Sequence, residues 1–87
     1  MMKYDFVFLL NDEAELKTLK DLVISLSGKV QKEQSLGLKN LNYPIKKQTS
    51  AHFYEWQLEI DPDKTTELKK RLGYNEKVLR YLLLKED

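Results

Sequence analysis

The sequence contains no cysteine. Disulfides, thiolate metal sites and cysteine nucleophiles are therefore excluded together, and the absence fits a reducing compartment. Histidine is nearly as scarce. The single His52 cannot build a histidine-based metal centre, which needs further ligands, and at a predicted strand start it needs no function. The glycines Gly28, Gly37 and Gly73 are isolated, so there is no glycine-rich loop to cradle phosphate. No apolar run approaches the roughly 20 residues that cross a bilayer, and nothing resembles a signal peptide. An excess of one charge is missing too: 15 Lys and Arg against 14 Asp and Glu leave a net charge of +1. A domain that binds nucleic acid through its overall field is usually far more basic, so such binding here needs a local patch. The 87 residues suffice for one small domain, 1–87, with one two-layer core.

What is present is clear periodicity. Met2 to Leu10 reads as a strand, with Tyr4, Phe6, Phe8 and Leu10 on the bulkier, core-facing side. Asn11-Asp12-Glu13 reads as a helix start, with Asp12 as N-cap and Glu15 completing a capping box. Leu16, Leu19, Leu22, Val23 and Leu26 then form one stripe, and Gly28 is placed to end the helix in the left-handed region. Lys29 to about Tyr43 reads as a long polar edge strand with a bulge at Gly37, and Ile45 to Ala51 as a loop. His52 to Ile60 has the cleanest alternation, with Tyr54, Trp56, Leu58 and Ile60 opposed to Phe53, Glu55, Gln57 and Glu59. Asp61-Pro62 opens a second helix, with Thr65, Leu68 and Leu72 inward and Gly73 closing it. Lys77 to Lys85 is a fourth strand, in which Leu79, Tyr81 and Leu83 alternate with Val78, Arg80, Leu82 and Leu84.

The order βαββαβ predicts an α+β, ferredoxin-like sandwich: a four-stranded antiparallel sheet with two helices on one face. The other face would be open, with Val7, Leu9, Leu82 and Leu84 beside Arg80, Phe53, Glu55 and Gln57. Such strips suit an interaction surface and an ordinary exposed sheet alike. No catalytic constellation and no cofactor motif is found, which argues against an enzyme. An RNA-recognition-motif reading is disfavoured, since the open face of the third strand carries Phe53 and then two glutamates.

One segment breaks the even mixing of charges. From Gln34 to Tyr54 there is no Asp or Glu, while Lys39, Lys46, Lys47 and His52 are present. The three lysines can pair with phosphates, Asn40 and Asn42 can hydrogen-bond phosphate, sugar or base edges, and Arg80 adds a fork-shaped donor. The plainer reading is that these lysines solubilise an edge strand and loop.

Leu36-Gly37-Leu38-Lys39-Asn40-Leu41-Asn42-Tyr43-Pro44-Ile45-Lys46-Lys47, together with the opening Met2-Lys3-Tyr4-Asp5-Phe6-Val7-Phe8, resembles protein six of the bacterial small ribosomal subunit. Ala51-His52-Phe53 and Val78-Leu79-Arg80-Tyr81-Leu82 are similar in pattern to the third and fourth strands of that family. The resemblance implies a non-catalytic ribosomal protein in the cytoplasm. It would bind the central domain of small-subunit ribosomal RNA together with protein eighteen of that subunit, the partner supplying much of the positive charge. Carried across, the implied RNA-binding residues are Lys39, Asn40, Tyr43, Lys46, Lys47 and Arg80, with Lys3 added. This chain departs from the family at Lys39-Asn40, where two basic residues are usual, and at Asn42, where alanine is usual. Many members carry a further tail after the last strand, where this sequence ends at Asp87. The competing expectation is a ferredoxin-like regulatory or oligomerisation module that binds a small ligand and self-associates.

Overall fold

The computed structural model describes residues 2–45 and 47–86. The elements run β1 (Met2–Leu10), α1 (Glu15–Ser25), β2 (Lys29–Ile45), β3 (Gln48–Ile60), α2 (Pro62–Tyr74) and β4 (Val78–Lys85). The strands form one antiparallel sheet in the order β2-β3-β1-β4, the ferredoxin-like arrangement expected from the periodicity.

The core lies between one sheet face and both helices. Phe6 and Phe8 stack at 4.5 Å, and Trp56 meets them edge-on at 6.2 and 4.8 Å. Leu19 and Val23 from α1 and Leu68 and Leu72 from α2 close over this aromatic layer. Edge-to-face and offset pairing of this kind adds roughly 0.5–1.5 kcal/mol per pair beyond the area buried. Because β1 and β3 are the central strands, their inward residues are covered completely, which is why the alternation is sharpest there.

Local details depart from expectation where a longer-range contact wins. The capping box does not form: α1 begins at Glu15 after Ala14, and Asp12 instead accepts from the Ala14 amide at 3.0 Å. Glu15 is drawn away toward α2's end, accepting from Asn75 Nδ2 at 3.0 Å. At the other end of α1, Ser27 takes the left-handed conformation (φ 63°) in place of Gly28. Gly28 then donates back to the Val23 carbonyl at 2.9 Å, and Ser27 to Ile24 at 2.9 Å, satisfying two otherwise orphaned carbonyls. Gly73 lies inside α2, whose C-cap is Asn75. In β4 the alternation slips: the register jumps from Leu9↔Arg80 to Leu10↔Val78, so Leu79 bulges and both Val78 and Leu79 are buried.

The largest correction concerns the expected loop from Ile45 to Ala51. It is mostly strand. Ile45 pairs with Gln48, and Lys47 takes the turn before Gln48 at φ 68°. Thr49, Ser50 and Ala51 all belong to β3, with Ser50 and Ala51 paired to Asn40 and Lys39. Polar side chains there suggested a loop, but a ladder is held by backbone groups and tolerates them at a hairpin end.

Candidate nucleic-acid interface

The acid-free segment is built by failures of register in β2. The first is at Gly37, which has φ +88° where the ladder slips between Ser35 and Gly37. The second is larger. Asn40 pairs with Ser50 and Ile45 with Gln48, so Leu41 to Pro44 stand opposite the single residue Thr49. Leu41-Asn42-Tyr43-Pro44 therefore arches out of the ladder. Pro44 has no N–H to contribute, and an edge strand is where that loss is tolerated.

The arch reaches across the open face. Gly37, Phe53, Leu9 and Arg80 form one cross-strand row from β2 to β4. Successive strands lie about 4.8 Å apart, so the two ends of this row are roughly 14 Å apart. The Tyr43 and Arg80 side chains together bridge that distance: the Tyr43 ring centre lies 5.4 Å from the Arg80 guanidinium. Leu9 and Phe53 line a concavity of 310 Å³ between arch and sheet, and Asn40, Leu41, Asn42 and Ile45 contribute from β2. Tyr43 and Arg80 complete its lining, and Lys39 Nζ sits 5.5 Å from the Phe53 ring centre. No acid lines it. Glu55, one row along the same face, marks the end of the acid-free zone.

Several acids are engaged elsewhere. Glu33 pairs with Lys20 at 2.7 Å, Asp12 and Glu15 hold Lys77 at 3.6 and 3.8 Å, and Glu13 meets His52 Nδ1 at 3.1 Å. Lys39 and Arg80 thus sit at the arch with no carboxylate among the described residues of the lining, an arrangement suited to anions.

Comparison with known proteins narrows this. The family model for ribosomal protein S6 matches residues 3–85. The chain belongs to the ribosomal protein S6 family. It is 40% identical over 73 residues to small ribosomal subunit protein bS6 of Beijerinckia indica, covering 84% of this chain and 48% of that protein. It is 31% identical over 94 residues to the bS6 protein of a Methylobacterium strain, covering 100% of this chain and 70% of the other. The chain spans about half the length of the first curated relatives it matches, at 48% and 47%. The crystal structure of 30S ribosomal protein S6 from Thermotoga maritima superposes with a TM-score of 0.85 at 18% identity, covering 98% of this chain and 87% of that one. At that identity it speaks for the fold.

For this S6-family chain, the residues implied by sequence do not form one patch. Lys39, Asn40, Tyr43 and Arg80 come together around the arch. Lys47 lies in the turn beyond it, beside Asn11, Glu76 and Lys77 at a second, more mixed concavity. Lys46 lies outside the described residues. Lys3 stands near the far end of the sheet with Gln31, Lys32 and Glu59, six positions from Leu9 and so roughly 20 Å away along β1. Leu9, Leu41, Ile45 and Phe53 line the concavity and escaped the sequence reading as site residues. The open-face parity of Leu9, Phe53 and Arg80 was the available signal; the arch that joins them to Tyr43 had none.

Proposed function

We propose that the chain is a non-catalytic component of the small subunit of the cytoplasmic ribosome, folded as one domain over 1–87, that binds small-subunit ribosomal RNA in its central domain. It does so paired with protein eighteen of the subunit, supporting assembly. The observation that carries this reading is the acid-free arch, which brings Lys39, Asn40, Tyr43 and Arg80 together from opposite edges of the sheet in an S6-family chain. Lys39 and Arg80 take phosphates, Arg80 with forked geometry, Asn40 hydrogen-bonds to sugar or base edges, and Tyr43 offers its ring. Lys46 and Lys47 add to the contact, and Lys3 touches RNA at the other end of the sheet. The open face, with Leu82 and Leu84 half exposed, docks the partner protein.

The test is binding to a central-domain RNA fragment, with and without protein eighteen, across a salt series. Tight binding that requires the partner is expected. With two to four phosphates neutralised by this chain, its own share of the log–log salt slope is about −2 to −4. Neutralising Lys46 and Lys47 together should weaken binding and leave the fold intact; unchanged affinity would remove the turn from the interface. No binding in either condition, at low salt and with folded protein, rejects the reading.

A further inference from the structure

Tyr43 and Phe53 differ from the core aromatics. Phe6, Phe8, Tyr54 and Trp56 stack on one another, whereas Tyr43 and Phe53 engage no other ring among the described residues. Each instead has a cation near its ring: Arg80 at 5.4 Å from Tyr43, Lys39 at 5.5 Å from Phe53. Both rings line the same 310 Å³ concavity, which is at the small end of ligand-site volumes. Tyr43 is 55% exposed although it is a large aromatic. The amides of Asn40 and Asn42 belong to the same lining.

We propose that this concavity is a seat for one unpaired nucleotide of the bound RNA, its base stacked on Tyr43 above the Leu9–Phe53 floor and its phosphate on Arg80 and Lys39. The inference rests on the RNA-binding reading and adds the ligand class of the arch. The chemistry is that of single-strand recognition: an aromatic face accepts any base, an adjacent cation takes the phosphate, and side-chain amides can pair with base edges. A duplex would not enter, because its bases are stacked internally and the concavity lies under an arch. Phosphate alone leaves the apolar floor unused. An acidic peptide would find cations there, but no feature of the lining favours carboxylate over phosphate, and the flat rings are better matched by a base.

Stacking and phosphate contact have different salt signatures, and that separates this proposal from the broader one. Tyr43→Leu retains apolar bulk and removes the ring; Tyr43→Phe keeps the ring. Binding of both variants, as intact chains with protein eighteen, is measured against the central-domain RNA fragment over a salt series, with thermal melts confirming that they fold. Tyr43→Leu is expected to lose about 5- to 100-fold in affinity with an unchanged salt slope, because stacking releases no counterions, while Tyr43→Phe stays near wild type. Arg80→Gln should instead flatten the slope by about one counterion. Amide NMR shifts on titration with uridine and adenosine monophosphate should cluster at Leu9, Asn40 to Tyr43 and Phe53, and exceed those from inorganic phosphate. Wild-type RNA binding with Tyr43→Leu unimpaired overturns the seat and leaves the broader function standing. Loss confined to the partner-protein affinity, measured without RNA, assigns the concavity to a protein side chain and also overturns it. Failure of the wild type to bind RNA at all removes the broader reading instead.

Discussion

Tyr54 is buried on the helix-facing side of β3, and its hydroxyl meets the carboxylate of Glu13, which also pairs with His52 Nδ1 at 3.1 Å. Burial raises the phenol's pKa above its ordinary 10.0, and the negative charge of Glu13 and the hydrogen bond to it raise it further. The folded chain therefore holds this proton more tightly than the unfolded chain. Stability from this group is complete below about pH 10 and is lost as pH rises through the raised value. Tyr54→Phe should accordingly show a flatter alkaline decline than wild type in denaturant melts between about pH 8 and about pH 11. Parallel declines would assign the alkaline loss to other groups. His52, which needs no function on sequence grounds, has a structural partner in Glu13. The sequence could not name Glu13, because that contact joins residues far apart in the chain.

Elements show the same division between local pattern and distant constraint. Gly37 and Gly73 both have open space where a Cβ would go, yet they should respond oppositely to alanine. At Gly37, in the β2 bulge, φ is +88°, a region that costs an L-residue about 1–2 kcal/mol, so Gly37→Ala should lower stability by about that amount. At Gly73, inside α2 with no positive φ, Gly73→Ala should raise it by about 0.4–1 kcal/mol by restricting the unfolded chain. Urea titrations of both variants check the pair, and equal signs would contradict the assignment of backbone conformation. The bulge at Gly37 was legible because glycine in a polar strand has few other uses. The end of α2 was not, because Gly73 resembles a helix stop and only the structure places the cap at Asn75.

At the scale of the molecule, the sheet leaves one face without helices. Leu82 and Leu84 are 53% and 52% exposed there, opposite Val7 and Asp5 of β1. Replacing both with serine should change stability little, since half-exposed side chains contribute only part of their burial energy. If the open face docks protein eighteen as proposed, it should weaken that association and, through it, paired RNA binding. Sedimentation of the wild-type chain distinguishes the competing regulatory-module reading. A stable homodimer with no RNA affinity would favour that module, and would make the leucine pair a self-association surface.

The sequence by itself determined the order of the elements, the core residues of β1 and β3, the apolar stripes of the helices (though not Thr65, which stays out of the core), and the family, through the Tyr43-Pro44-Ile45-Lys46-Lys47 block. These properties are carried by neighbours in the chain: periods of two and 3.6 residues and short runs that need no knowledge of distant partners. Only the tertiary structure decided how the basic residues are grouped. Strand order put Arg80 at the edge opposite β2, and the four-against-one register at Leu41 to Pro44 carried Tyr43 across to meet it. Lys47, beyond the arch, lies beside Asn11 and Lys77, and Lys3 stands at the sheet's far end on β1. Cross-strand register is fixed by pairing between residues remote in sequence, and a bulge re-aims every side chain beyond it. A run of lysines therefore announces positive charge, but the fold determines which of them share a surface.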